Sequence, residues 1–185
     1  MSTPIEWMRR AMLIRIIEYE VSDASVSETL LDNLELIEKL KEEEEEVSDT
    51  MKSAYCAVAL ECTVKYFVCE SVVIGGNFSS ARERIWRARV TRLEMEHSKL
   101  FTLDLKAHKE ELEVAITSPV IRRSLIALNT RNAALGSVSN YLRDAWTLVQ
   151  VSGAVAGAGV HKLGVDSGAG PHTHGLGSGA GLHTG

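Results

Sequence analysis

The sequence predicts an all-α protein, an irregular bundle or array of six to seven helices followed by a disordered Gly/His-rich C-terminal tail. Apolar residues recur at spacings of three and four along residues 1–150, whereas the alternation typical of strands is nearly absent. Only three prolines occur in 185 residues, which leaves long helices uninterrupted. Eleven of the fourteen glycines and four of the six histidines lie in 152–185. We therefore divide the chain into a helical interaction domain, 1–150, and a disordered Gly/Ala/Ser/His-rich tail, 151–185.

Composition narrows the class of protein. A folded part of about 150 residues suits one domain and buries about two thirds of its unfolded surface. The three cysteines are an odd number in one apolar stretch, which argues against a disulfide framework and favours a reducing compartment. The N-terminus has no signal-peptide pattern, and no window has the uncharged apolar run of a membrane span. With a net charge of −5, the protein as a whole is not expected to attract nucleic acids electrostatically.

Five helix starts are predicted from a capping serine or threonine followed by a proline, an aspartate or a capping-box glutamate. They are Thr3–Pro4, Ser25–Glu28, Ser48–Asp49, Ser80–Glu83 and Ser118–Pro119. The first helix is expected to end near Ser22, and the last to run from about Arg131 to Gln150.

Two helices carry the clearest apolar rows. On the first, the row shares one face at helical spacing and consists of Ile5, Met8, Met12, Ile16 and Tyr19. On the helix after Ser48, the row is Met51, Tyr55, Val58, Cys62 and Tyr66. That second helix is the most apolar of the chain, so we expect it to be central, with Met51, Tyr55, Val58 and Cys62 in the core.

The sequence contains no recognisable catalytic or metal-binding motif. Cys56, Cys62 and Cys69 lack the spacing of a zinc knuckle and are better interpreted as buried structural thiols. His172 and His174 lie in the predicted disordered tail, where a dedicated metal site is not expected. The glutamate run 42–46 fits a solvated helix end better than an acidic binding strip. We expect no enzyme, no cofactor, no small-molecule substrate and no membrane association.

An arginine cluster is the main charged feature, made of Arg82, Arg84, Arg87, Arg89 and Arg92. Arginines at this density could contact phosphates or a protein partner. A helical wheel does not place them on one clean basic face, so Arg89 is expected to cover a buried surface or pair with a carboxylate. Trp86 and Trp146 are candidates for the core or for an interface.

Several segments in series resemble one known family. They are 13–20 (LIRIIEYE) leading into 25–28, 31–40 (LDNLELIEKL), 51–66 (MKSAYCAVALECTVKY), 83–90 (ERIWRARV) and 129–146 (NTRNAALGSVSNYLRDAW). In this order they resemble the N-terminal helical region of plant telomeric-repeat-binding-factor-like proteins, over roughly residues 10–150.

This resemblance implies a nuclear protein whose relatives bind DNA through a C-terminal Myb-type domain. Trp7, Trp86 and Trp146 are too scattered for a Myb repeat, and the Gly/His tail follows Gln150 in its place. The expected function is therefore a non-enzymatic module for protein interaction or dimerisation, without the Myb reader. The partner would be another protein or a second copy. The alternative is direct DNA binding through the arginine cluster.

Overall fold

The computed structural model describes residues 3–42, 44–69 and 76–158 and is all-α, as predicted. We number seven helices within these residues: α1 Pro4–Ser22, α2 Glu28–Lys39, α3 Asp49–Cys69, α4 76–95, α5 Leu103–Ala115, α6 Pro119–Ala127 and α7 Thr130–Ala158. The last helix thus continues past residue 150 as far as Ala158. The remainder of the predicted tail, 159–185, lies outside the described residues, as do the tail histidines.

Helix α3 is central, as predicted. It packs against α2, α4, α5, α6 and α7, and α1 packs against α2 and α7. Its residues Met51, Tyr55, Val58 and Cys62 are all fully buried. Alanines between them, including Ala54 and Ala59, are also buried and allow the neighbouring helices to approach closely.

Three of the predicted caps are confirmed. Thr3 forms a capping box with Glu6, Ser48 Oγ accepts from the Met51 amide at 3.2 Å, and Ser118 Oγ accepts from the Ile121 amide at 3.4 Å. Each acceptor satisfies an amide that lacks a partner within its own helix.

The two remaining capping boxes are wrong. Helix α2 begins at Glu28 itself, and the hydroxyl of its N-cap, Ser27, donates to Glu20. Ser80 lies inside α4, which already begins at Gly76. Both glutamates of the supposed boxes face arginines of α4 instead, Glu28 pairing with Arg84 and Glu83 with Arg87. The Glu28–Arg84 pair joins α2 to α4, whereas the Glu83–Arg87 pair lies within α4.

Two helices end in the same left-handed turn. Ala24 after α1 and His97 after α4 have φ values of 51° and 54°. The amide of Ser25 donates to the Glu20 carbonyl, and the amide of Ser98 donates to the Leu93 carbonyl. This is the Schellman arrangement, in which glycine normally occupies the left-handed position. Both ends therefore carry a residue with a Cβ where glycine is preferred.

Helix α4 changes geometry along its length. Residues Gly76–Arg82 and Thr91–Met95 are α-helical, but the intervening Glu83–Val90 is π-helical. A π-helix has a wider turn than an α-helix, so side chains leave it at different angles. The arginine cluster lies on and beside this segment.

Candidate interaction surfaces

The arginines of α4 face a row of carboxylates on α2. Glu28, Asp32 and Glu35 follow one another at helical spacing. Arg84 contacts Glu28 at 2.6 Å, and Arg89 contacts Asp32 at 2.6 Å. Glu35 accepts from both Arg89 at 2.9 Å and Arg92 at 2.5 Å. We call these six side chains the α2–α4 ladder.

Glu35 is the buried centre of the ladder. Its side chain is 8% exposed. Besides the two arginines it accepts a 2.7 Å hydrogen bond from the hydroxyl of Tyr55 in α3. Burial, followed by the charge of Glu35, raises the pKa of Tyr55, so the phenol remains a donor. A carboxylate with three donors is compensated for its loss of water.

The other two arginines point toward α5. Arg87 donates to Glu113 through two nitrogens at 3.0 Å each, and Arg82 lies 3.5 Å from the same carboxylate. The hydrogen bond from Arg87 holds the pKa of Glu113 below its ordinary value, with help from the charge of Arg82. Every arginine of the cluster therefore has a carboxylate partner within the chain.

This pairing bears on the interpretation of the cluster. Phosphate contacts would require the guanidinium groups that already bind Glu28, Asp32, Glu35 and Glu113. The expectation that Arg89 pairs with a carboxylate is confirmed. The carboxylate row on α2 was not recognised from the sequence, although its spacing of four and three was visible there.

The two candidate tryptophans occupy different environments. Trp86 is fully buried, and its indole nitrogen donates to the Thr63 hydroxyl at 2.8 Å. It is a core residue, which is one of the two alternatives that the sequence left open for it. Trp146 is partly buried and packs against the core. The guanidinium carbon of Arg15 lies 4.3 Å from the centre of its ring, in cation–π geometry.

The apolar row on α1 faces solvent. Ile5, Met8, Met12, Ile16 and Tyr19 share one face, as predicted, and we call them the α1 apolar face. Their exposed fractions run from 46% at Ile16 to 72% at Tyr19. The opposite side of the helix supplies Ile14 and Ile17 to the core. Single exposed apolar residues are common on proteins, but a continuous row of five is not.

A groove beside this face extends it onto α2. The groove has a volume of about 330 Å³ and is lined by Arg9, Met12, Leu13, Ile16, Leu36, Lys39 and Leu40. Leu36 on α2 is 48% exposed and so adds to the apolar surface. Arg9 and Lys39 add two positive charges to the otherwise apolar lining.

A cleft between α3, α5 and the start of α7 is lined by side chains of the types that take part in catalysis. It has a volume of about 450 Å³, and its lining includes Cys56, Asp104 and His108. Burial, followed by the charge of Asp104, raises the pKa of Cys56 to about 11. The thiol thus stays protonated at neutral pH, which is the wrong state for a nucleophile. His108 is engaged with Glu111 at 3.1 Å.

Within the described residues, no three histidine, cysteine or acidic side chains are grouped as metal ligands would be. Among the described side chains, Cys56 is a partly buried free thiol and Cys62 a buried one. None of the helices in the described part of the chain is both long and apolar enough to cross a membrane. The chain matches no protein-family model, no curated protein and no solved structure.

Proposed function

We propose that this protein is a non-enzymatic helical interaction module that binds another protein through the α1 apolar face. One observation supports this most directly. Helix α1 carries large apolar side chains on both sides, yet only the side with Ile14 and Ile17 is covered. A contiguous row of exposed large apolar side chains is typical of a surface that binds a partner. The uncovered side therefore calls for a partner.

The shape of the surface agrees with helix recognition. Residues at spacings of three and four form the ridge that one helix presents to another. The groove beside Met12 and Ile16 offers an apolar recess next to that ridge. Protein-binding grooves for amphipathic helices are built from these two features.

Binding of an apolar dye such as bis-ANS tests whether the face is available. We expect the full chain to bind the dye and the double substitution Met12→Glu with Ile16→Glu to remove most of the signal. Leu103→Glu is the matched control, because Leu103 is 83% exposed but lies on α5. Equal dye binding by all three proteins would contradict the proposal.

The family resemblance adds the proposal that the module acts in a nuclear, DNA-associated protein. A fluorescent fusion of the full chain should then accumulate in the nucleus of a plant cell. Uniform distribution through the cell would remove this part of the proposal and leave the interaction surface unaffected.

Direct DNA binding by the arginine cluster has less support. The carboxylate partners on α2 and α5 compete with phosphate for the same guanidinium groups. A duplex gel-shift series at low salt separates the two functions. Binding that weakens steeply with salt and is lost in Arg84→Ala with Arg87→Ala would favour the DNA reading.

A further inference from the structure

The α1 apolar face has a symmetric spacing. Its five members, Ile5, Met8, Met12, Ile16 and Tyr19, are separated by three, four, four and three residues. The order of intervals is the same from either end of the helix. Met12 lies at the midpoint, and Ile5 is as far from it as Tyr19 is.

This symmetry has a direct geometric meaning. Two copies of one helix that pack antiparallel are related by a two-fold axis perpendicular to both. In such an interface, a residue that contacts a second residue is contacted by it in return. With the axis at Met12, Ile5 of each copy meets Tyr19 of the other, and Met8 meets Ile16. Each apolar side chain thereby finds an apolar neighbour.

We propose that the partner of the α1 apolar face is a second copy of this chain, packed antiparallel with Met12 on the two-fold axis. This inference rests on the proposed interaction function and names its partner. Ridges at spacings of three and four pack along a seam of this kind in antiparallel helix pairs.

The area is adequate for a dimer. At about 200 Å² for each large apolar side chain, the exposed fractions of the five residues and Leu36 amount to roughly 700 Å² per copy. A standard stable interface buries about 800 Å² per partner. Arg9 and Lys39 line the groove at the border of this apolar surface.

The residues that border the α1 apolar face do not cover it. Arg15, which contacts Trp146 of α7, also pairs with Glu18 at 2.7 Å. On the α2 side the groove between Met12, Ile16 and Leu36 is open to receive side chains of the opposing copy.

Sedimentation of the full chain tests the stoichiometry. We expect a monomer–dimer equilibrium in the micromolar range, with the double substitution Met12→Glu and Ile16→Glu weakening association by roughly a hundredfold or more, since carboxylates would enter an apolar seam. Both positions are exposed and glutamate is a good helix former, so the thermal unfolding midpoint should stay unchanged at concentrations where the wild-type chain is also monomeric. Leu103→Glu serves again as the control and should leave the dimer intact.

Disulfide cross-linking tests the orientation. Met12→Cys should form a disulfide with its own copy, because the two positions meet at the axis. Ile5→Cys and Tyr19→Cys should each fail alone, since identical positions would lie about 21 Å apart along the helices. A mixture of those two variants should cross-link. The wild-type chain under the same oxidation gives the background from Cys56, Cys62 and Cys69.

Other outcomes overturn the inference in distinguishable ways. Self-linking of both Ile5→Cys and Tyr19→Cys, without preference for the mixed pair, would mean a parallel dimer. A strict monomer at high concentration would exclude the second copy as partner. If that monomer still bound bis-ANS in a manner sensitive to Met12→Glu and Ile16→Glu, the interaction surface would stand and its partner would be a different protein.

Discussion

Arg89 on α4 donates a 2.9 Å hydrogen bond to Glu35 on α2, whose carboxylate is almost entirely buried. The hydroxyl of Tyr55, on the central helix α3, donates a hydrogen bond to the same carboxylate. This contact joins three helices at one carboxylate. The arginine cluster is the main charged feature of the sequence. Its ion pairs hold α4 against α2 and α5.

Glu35→Ala should destabilise the protein by about 2–4 kcal/mol, because it leaves the Tyr55 hydroxyl without its acceptor and Arg89 with Asp32 alone. Urea unfolding followed by circular dichroism measures the change in the free energy of unfolding. Arg87→Ala is the control, and the loss of its solvent-exposed pair with Glu113 should cost clearly less than the loss of Glu35. Equal losses in the two variants would contradict a special role for the buried carboxylate.

Substitution of the two tryptophans should lower the free energy of unfolding by different amounts. Trp86→Ala should cost about 3–5 kcal/mol, since the whole ring is buried and its indole nitrogen bonds Thr63. Trp146→Ala loses a partly exposed ring and the stacked Arg15, so we expect a smaller cost of about 1–2 kcal/mol. Thermal unfolding of both variants at one protein concentration gives the comparison. A larger loss for Trp146 would show that the core depends on α7 more than its burial indicates.

Helix periodicity was sufficient to predict the fold class, the central place of α3 and the capped helix starts at Thr3, Ser48 and Ser118. It was not sufficient to tell which side of α1 is covered. Both sides of that helix are apolar, so the row from Ile5 to Tyr19 is as regular as any core row. Only the positions of α2 and α7 decide that Ile14 and Ile17 face inward.

The arginine cluster shows a second limit. A wheel at 100° per residue assumes an α-helix, but Glu83–Val90 is π-helical. The sequence therefore could not predict that Arg84 and Arg89 reach α2 while Arg87 reaches α5. Long-range pairing of this kind depends on how helices cross, which periodicity does not encode.

Ala24→Gly should stabilise the protein by about 0.5–1 kcal/mol. Ala24 has a left-handed φ of 51° at the end of α1, where a Cβ is strained and glycine is not. Ala107→Gly, in the right-handed interior of α5, is the matched control and should cost about 1 kcal/mol. Thermal or urea unfolding shows the sign directly. If both glycines destabilise, the turn after α1 stores no strain.

Acid should remove the contribution that Glu113 makes to the free energy of unfolding. Its pKa in the folded protein lies below the ordinary 4.5, chiefly because Arg87 donates to it. A lowered pKa stabilises the folded state above about pH 4.5, and this stability is lost as the pH falls through the lowered value. The free energy of unfolding should therefore exceed that of Glu113→Gln by about 0.5–1 kcal/mol at neutral pH, with the difference vanishing in acid. A difference independent of pH would indicate packing instead of charge.

The cysteines should behave as buried thiols. Burial raises the pKa of Cys56 to about 11 and that of Cys62 to about 12, from an ordinary value of 9.0. A raised thiol pKa stabilises the folded state below about pH 9, and this stability is lost as the pH rises toward the folded values. In a Cys69→Ser background, iodoacetamide at pH 8 should modify the folded chain far more slowly than the urea-unfolded chain. Thiolate absorbance at 240 nm should appear only well above pH 9. Rapid alkylation of folded Cys56 at neutral pH would mean that its thiol is activated, and the cleft with Asp104 and His108 would then become a candidate for chemistry.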